Sequence, residues 1–189
     1  DLPEHRPEML YIGCVDARLD PVKDIGIPQG KALIYRNIGA LVHKALDKGK
    51  AFDASKIENG EIPESVSVGA VLEFFIRKLP EPEGGGPKHI VISGHTHCGG
   101  IRACFHGAGD EGGYLPRYLS TLKTSLGRVL GLGLDNEDDK LRAFEKESVR
   151  QSIDNLMSYD VVREAVDAGR IQLHGWILDT ATHRIEEMD

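Results

Sequence analysis

The 189-residue chain has few cysteines, a single tryptophan and no long apolar run. Three cysteines, an odd and sparse number, do not make a disulfide framework, so we expect a reducing compartment and a metal-binding or catalytic use of the thiols. No apolar segment approaches the roughly 20 residues of a membrane-spanning helix. The opening DLPEHRPEML lacks the basic end and apolar centre of a secretory signal. We therefore predict no membrane role and a cytoplasmic location, or an organelle if a targeting segment preceded Asp1.

Basic residues are fewer than acidic ones. The chain has 23 Lys and Arg against 30 Asp and Glu, a formal net charge of −7. Nonspecific binding to nucleic acid or anionic lipid requires a basic patch, so we predict no nucleic-acid partner. Hydrophobic residues make up 40% and charged residues 28%, which is typical of a globular chain. The length predicts one compact domain, residues 1–189, that needs no disulfides.

Short apolar runs bounded by Gly, Pro or polar residues predict buried strands. There are four of them, at 9–15, 32–36, 89–93 and 171–178. Helical spacing between them predicts helices at 67–79, 138–157 and 159–169. Alternation of strands and helices predicts an α/β fold, a mainly parallel sheet covered by helices on both faces.

The segments outside these runs are predicted to be connections. The chain after Trp176 is expected to turn at 180–182 and to add a last, hairpin-like strand. The segments 48–64 and 80–88 are predicted to be surface loops. The acidic groups 138–139 and 145–147 are interpreted as solvated helix faces.

Reactive side chains follow two of the predicted strands. Cys14, Asp16 and Arg18 alternate in CVDAR at the end of the first strand, and in an extended chain such residues share a face. His95 and Cys98 follow the 89–93 strand in GHTHCGG, at a spacing that a tight turn can aim at one point. Because ligands bind beyond the carboxyl ends of parallel strands, we expect the two groups to meet there.

Two thiols, an imidazole and a carboxylate together favour tetrahedral zinc over magnesium or calcium, which prefer oxygen ligands. A single buried cysteine is more often a core residue than a ligand, so the argument depends on the combination. Two alternatives stay open. Cys14 could act as a nucleophile with His95 as its base. The zinc could be purely structural, although such sites usually have four Cys or His ligands in paired knuckles, whereas this chain offers one HxxC and one distant Cys.

The motifs CVDAR (14–18), RNIGALV (36–42) and GHTHCGG (94–100) resemble those of the β-class carbonic anhydrases. The similarity continues through 148–166 and 173–185 and so covers nearly the whole chain. The resemblance implies the family fold, a mainly parallel sheet wrapped by helices. It also implies a homodimer or a dimer of dimers.

The resemblance further implies one Zn²⁺ per chain, bound by Cys14, His95 and Cys98, with Asp16 and Arg18 as the catalytic dyad. The reaction implied is reversible hydration of carbon dioxide to bicarbonate and a proton, by attack of zinc-bound hydroxide on CO2. Related zinc proteins hydrolyse carbonyl sulfide or carbon disulfide on the same scaffold. The intact GHTHCGG favours carbonic anhydrase over that alternative.

Members of the β-class carbonic anhydrases differ in whether the carboxylate at the position of Asp16 binds the zinc. In part of the family this carboxylate becomes the fourth zinc ligand and closes the site, and a bicarbonate bound beside the metal favours closure. The corresponding substrate and anion positions in this chain are Gly13, Leu19, Arg36 and, directly after the last zinc ligand, Gly99.

The anion positions match the closing subgroup only in part. Gly13 and Arg36 agree with its pattern, whereas Tyr11 replaces a Trp and Leu19 replaces a Val and adds a methylene to the pocket. The always-open subgroup has a Gln where this chain has His5. On the strength of Gly13 and Arg36 we expect the closing type.

Overall fold

The computed structural model describes residues 4–45, 64–79, 86–108 and 112–188. Its centre is a sheet whose strands are β1 Met9–Cys14, β2 Ala32–Asn37, β3 His89–His95, β4 Gln172–Leu178 and β5 Ile185–Met188. The strand order is β2-β1-β3-β4-β5. The first four strands are parallel and β5 runs antiparallel to β4. The predicted α/β fold and the hairpin-like last strand are both confirmed.

The helices lie in the connections between the strands. They are α1 Pro21–Ile25, α2 Glu64–Glu73, α3 Gly99–Phe105, α4 Tyr114–Leu119, α5 Lys123–Leu130, α6 Glu137–Leu156 and α7 Asp160–Asp167. The helix predicted at 67–79 begins earlier and continues from α2 into a π-helical turn, Phe74–Lys78. The helices predicted at 138–157 and 159–169 are α6 and α7. None of the described helices has both the length and the hydropathy needed to cross a membrane.

Local sequence sets the start of α6, the longest described helix. The side chain of Asn136 accepts a hydrogen bond from the Asp139 amide at 2.7 Å and so caps the amino terminus. Three acidic residues, 137–139, occupy the first turn, where they oppose the positive end of the helix dipole. These features fix where the helix begins, and its length carries it past β3 and β4.

The main core lies between one face of the sheet and α2, α6 and α7. Alternate residues of β1 and β3 point into it, which is the period of a strand with one face on the core. These and their helical partners include Leu10, Ile12, Ile90, Ile92, Leu72, Phe75, Val149 and Val162. On the opposite face Tyr11 and Val91 are buried, but Ile34 is 40% exposed, so the described residues cover that face incompletely.

Glycines bring α6 close to the sheet at the end that carries the site. A Cβ atom on Gly94 in β3 would lie 2.6 Å from Val149 Cγ2, and one on Gly175 in β4 would lie 2.8 Å from Ile153 Cδ1. Real Cβ atoms do not approach so closely, so these positions require glycine for α6 to pack as it does. The helix is thereby held directly against the segment that precedes His95.

Candidate functional site

The two predicted groups of reactive residues meet at the carboxyl edge of the sheet. Cys14 is the last residue of β1, and His95 is the last residue of β3. Because these strands are parallel neighbours, their ends lie at the same edge. Cys98 follows after a short turn and occupies the residue directly before α3. The sheet order therefore brings together residues that lie more than 80 positions apart in sequence.

Cys14, His95 and Cys98 form a cluster that is able to hold a metal ion. One ligand atom from each lies within 4.8 Å of the others, and all three residues are buried. His95 Nδ1 lies 3.0 Å from the Thr96 carbonyl oxygen, so its proton is directed there. His95 Nε2 is buried and, within the part of the chain described, has no hydrogen-bond partner. A buried nitrogen without a partner is costly unless it binds something, and two sulfurs with one imidazole suit zinc.

The two thiols influence each other strongly. The pKa of the Cys14 thiol is lowered, chiefly because the Cys98 thiol donates to its sulfur, and the Gly39 amide, 3.3 Å from Sγ, adds to this. The pKa of the Cys98 thiol is raised by the same neighbour and by burial. A metal that binds both sulfurs as thiolates must therefore displace protons, so binding depends on pH.

Asp16 lies beside this cluster and is held by Arg18. The Arg18 side chain donates through Nε to Asp16 Oδ1 at 2.9 Å and through Nη2 to Oδ2 at 2.7 Å, and its backbone amide also donates to Oδ1. These bonds hold the pKa of the Asp16 carboxyl well below its usual range. Asp16 Oδ2 is 3.9 Å from His95 Nε2, so the ionised carboxylate faces the cluster.

Arg36 fixes the backbone from which Cys14 and Asp16 project. Its guanidinium donates through Nε to the Cys14 carbonyl and through Nη2 to the Asp16 carbonyl, both at 2.8 Å. Gly39 has φ of 74°, a conformation that glycine adopts without strain, and this directs its amide at Cys14 Sγ. The segment after β2 thus supports the segment after β1.

The comparisons with known proteins agree with this geometry. A family model described as carbonic anhydrase matches residues 9–185. The chain belongs to the β-carbonic anhydrase family. Among curated relatives, "Beta carbonic anhydrase 6, mitochondrial" of Arabidopsis thaliana is 28% identical over 173 residues, which are 89% of this chain and 52% of that protein. A carbonic anhydrase of Synechococcus elongatus is 27% identical over 184 residues, 95% of this chain and 59% of that protein.

Solved structures of β-carbonic anhydrases have the same fold. A tetrameric β-carbonic anhydrase of the ascomycete Sordaria macrospora superposes with a TM-score of 0.75 at 27% identity, covering 97% of this chain and 81% of that one. A β-carbonic anhydrase of Aspergillus fumigatus gives a TM-score of 0.73 at 29% identity, covering 98% and 76%. The chain nevertheless spans only 52% and 59% of the two curated relatives above.

The predicted anion positions of this chain lie around the same edge. Gly13 and Arg36 face each other in the register of β1 and β2. Leu19 is buried in the same group of packed hydrophobic side chains as Cys14. Gly99 opens α3 next to Cys98, and a Cβ there would meet no atom within 4 Å. Their role in anion binding remains a prediction.

One interpretation of the sequence is wrong. Glu145 belongs to a charged run that predicts a solvated helix face, yet it is only 5% exposed. Its Oε1 accepts a hydrogen bond from the backbone amide of Cys98 at 3.1 Å. The helical spacing of buried Phe144, Ser148 and Val149 would have indicated it, because position 145 lies on that face of α6.

Proposed function

We propose that this chain catalyses reversible hydration of carbon dioxide to bicarbonate and a proton, with one Zn²⁺ held by Cys14, His95 and Cys98. The observation that carries the proposal is the buried donor set beside the Asp16–Arg18 pair. Two sulfurs and an imidazole nitrogen without a hydrogen-bond partner among the described residues converge on one point, and an ionised carboxylate faces them. Three protein ligands leave the fourth position of a tetrahedral metal for a reactant.

In this proposal Asp16 orients the reacting water. Zinc, when bound, supplies a water ligand acidic enough to become a nucleophile near neutral pH. The Asp16 carboxylate accepts a hydrogen bond from that water and aligns it, and Arg18 fixes the carboxylate through its paired hydrogen bonds. Because Arg18 holds the Asp16 carboxylate through two hydrogen bonds, this group orients the water, and the released proton passes to solvent.

The anion positions extend the proposal. We assign Gly13, Leu19, Arg36 and Gly99 to bicarbonate binding beside the metal, with closure of the site by Asp16 as its consequence. Asp16 now accepts two side-chain hydrogen bonds from Arg18, and it would have to leave this arrangement to close the site. A site closed by Asp16 would have little activity near neutral pH and would gain it steeply above about pH 8.

We also propose the oligomeric state and the compartment of the protein. A homodimer or dimer of dimers is supported by the tetrameric relative from Sordaria macrospora. Sedimentation velocity tests it. Cys14 and Cys98 are free thiols, which supports a reducing compartment, either the cytoplasm or an organelle.

The function is tested by stopped-flow CO2 hydration with zinc-quantified protein from about pH 6.5 to about pH 9, a range that includes and extends above a pKa near 7 for zinc-bound water. We expect about one zinc per chain and measurable hydration. Cys14→Ser should lose both, whereas Cys104→Ser should keep both, because Cys104 is buried but lies outside the cluster. Full zinc with no hydration at any pH refutes the function, and turnover of carbonyl sulfide instead would identify the related hydrolase.

A further inference from the structure

The loop that carries the last two metal ligands contains a strained residue. His97 lies between His95 and Cys98 and has φ of 57°, the left-handed region that a residue with a Cβ rarely adopts. Such a conformation persists only where its surroundings enforce it. The contacts around residues 95–98 therefore determine where the Cys98 sulfur lies.

Contacts with other parts of the chain hold this loop at each residue after His95. Thr96 Oγ1 accepts a hydrogen bond from the Thr180 amide at 2.9 Å. The His97 carbonyl accepts one from Arg18 Nη2 at 3.0 Å. The Cys98 amide donates to Glu145 Oε1 at 3.1 Å. The bond to Glu145 is the one of these three that acts on the residue whose sulfur belongs to the cluster.

Burial of the Glu145 carboxylate, which makes that contact, costs free energy. Its side chain is 6% exposed, and an ionised carboxylate loses much of its hydration at such a depth. Arg142, one turn earlier on α6, has Nη1 3.4 Å from Glu145 Oε2 and supplies the compensating charge. Its other terminal nitrogen, Nη2, lies 3.6 Å from Asp179 Oδ2.

Asp179 continues this chain of contacts into the turn after β4. Its Oδ1 accepts hydrogen bonds from the amides of Ala181 at 2.9 Å and Thr182 at 2.8 Å. The Glu145 carboxylate oxygen that does not bond Cys98 is thus held by a network that runs through Arg142 and Asp179 to the β4–β5 turn. An acceptor held in this way can fix the position of the group that donates to it.

We infer that Glu145 is a positioning residue for Cys98: it holds the backbone of this ligand at the distance and angle at which its sulfur joins Cys14 and His95 around a metal. The inference rests on the proposed zinc site. The effect is assigned to the hydrogen-bond acceptor on α6. A neutral acceptor of the same shape should therefore keep Cys98 in position, whereas removal of the acceptor should not.

The test compares Glu145→Ala and Glu145→Gln in the full chain. Glu147→Ala is the matched control, because Glu147 lies on the same helix, pairs with Arg128 and does not belong to the cluster. Zinc affinity is measured by competition with a chromophoric chelator. Cobalt(II) substitution gives a thiolate-to-metal absorption band that reports ligand geometry. The difference in Tm between zinc-loaded and metal-free protein separates metal binding from fold stability.

Glu145→Ala is expected to weaken zinc affinity about 10- to 100-fold, the range for groups that orient a metal ligand, and to alter the cobalt band. Glu145→Gln should stay within about threefold of the unchanged protein, as should Glu147→Ala. Wild-type affinity and spectrum in Glu145→Ala would overturn the inference. So would a folded Glu145→Gln protein with weakened affinity, which also decides the matter if the alanine variant does not fold. Absence of CO2 hydration by the zinc-loaded unchanged chain refutes the proposed function instead and leaves these readouts intact.

Discussion

Replacement of Gly94 by Ala tests whether the packing of α6 on β3 sets the position of His95. The new methyl group would lie 2.6 Å from Val149 Cγ2 and 3.0 Å from Ile177 Cδ1. Val149 is β-branched and buried, so its side chain has little freedom to move away, and we expect the helix and strand to separate. Overpacking of this kind costs about 2 kcal/mol of unfolding free energy, which for a chain of this size lowers Tm by about 4–8 °C.

Chemical denaturation of the metal-free protein measures this cost, and zinc affinity measures its effect on the site. The matched control is Gly127→Ala in α5, where a Cβ would meet no atom within 4 Å. In an exposed helix interior alanine is the better helix former, so the control should gain up to about 1 kcal/mol. The two substitutions are chemically identical and are expected to have opposite signs.

A double-mutant cycle identifies the contact responsible. Val149→Ala alone leaves a cavity and destabilises the protein, but it also removes the methyl group that the new side chain at position 94 would meet. The combined variant should therefore be more stable than the sum of the single effects predicts, by about 1 kcal/mol. Additive effects, or a Gly94→Ala protein within about 0.5 kcal/mol of the unchanged chain, would contradict the packing described here.

Three other expectations concern side chains near or beyond the site. Replacement of Arg18 by Lys removes the planar pair of hydrogen bonds to Asp16 and should lower kcat for CO2 hydration by about 10- to 100-fold at unchanged zinc content; an unchanged kcat would show that this pairing is dispensable. Burial lowers the pKa of His89, and the neighbouring His174 adds to the effect. Below the ordinary pKa of 6.5 the unfolded chain therefore takes up a proton that the folded chain resists, so stability falls as pH drops. His89→Gln should flatten that decline in urea titrations between about pH 7 and pH 5, and an equally steep decline in the variant would refute this. His97→Gly relieves the left-handed strain, so its unfolding free energy in urea titrations should exceed that of His97→Ala by about 1 kcal/mol. The reverse order would contradict the loop conformation.

The strands and the residues at their ends could be predicted because they depend on local pattern. Four buried runs with clear boundaries indicated β1 to β4 to within a few residues at each end. Cys14 and His95 fall at strand ends, so a rule about parallel sheets was enough to place them together. The short helices α1, α3, α4 and α5 were not predicted, since short segments carry little periodic signal. The eight-residue α7 was predicted because Gly169 marks its end.

The supports of the site could not be predicted because they join elements that are distant in sequence. Nothing in the residues around Gly39 indicates that its amide meets the Cys14 sulfur. The charge of Glu145 indicated solvent. Its neighbour Arg142 lies one turn earlier on the same helix, but the Cys98 amide that donates to it is brought there only by tertiary packing. Sequence pattern thus identifies the groups that do chemistry better than the groups that hold them.

The contacts that hold the 95–98 loop come from three separate parts of the chain. Thr180 follows β4, Arg18 follows β1 and Glu145 lies on α6. Each of them bonds a backbone group or a hydroxyl and none bonds a ligand atom, so the Cys98 sulfur and His95 Nε2 remain available to a metal. The cluster therefore exists only when the sheet and α6 have assembled. A metal that requires this cluster binds the folded state and not the unfolded chain. Zinc must therefore raise the unfolding free energy, and the increase is larger when the site binds zinc more tightly.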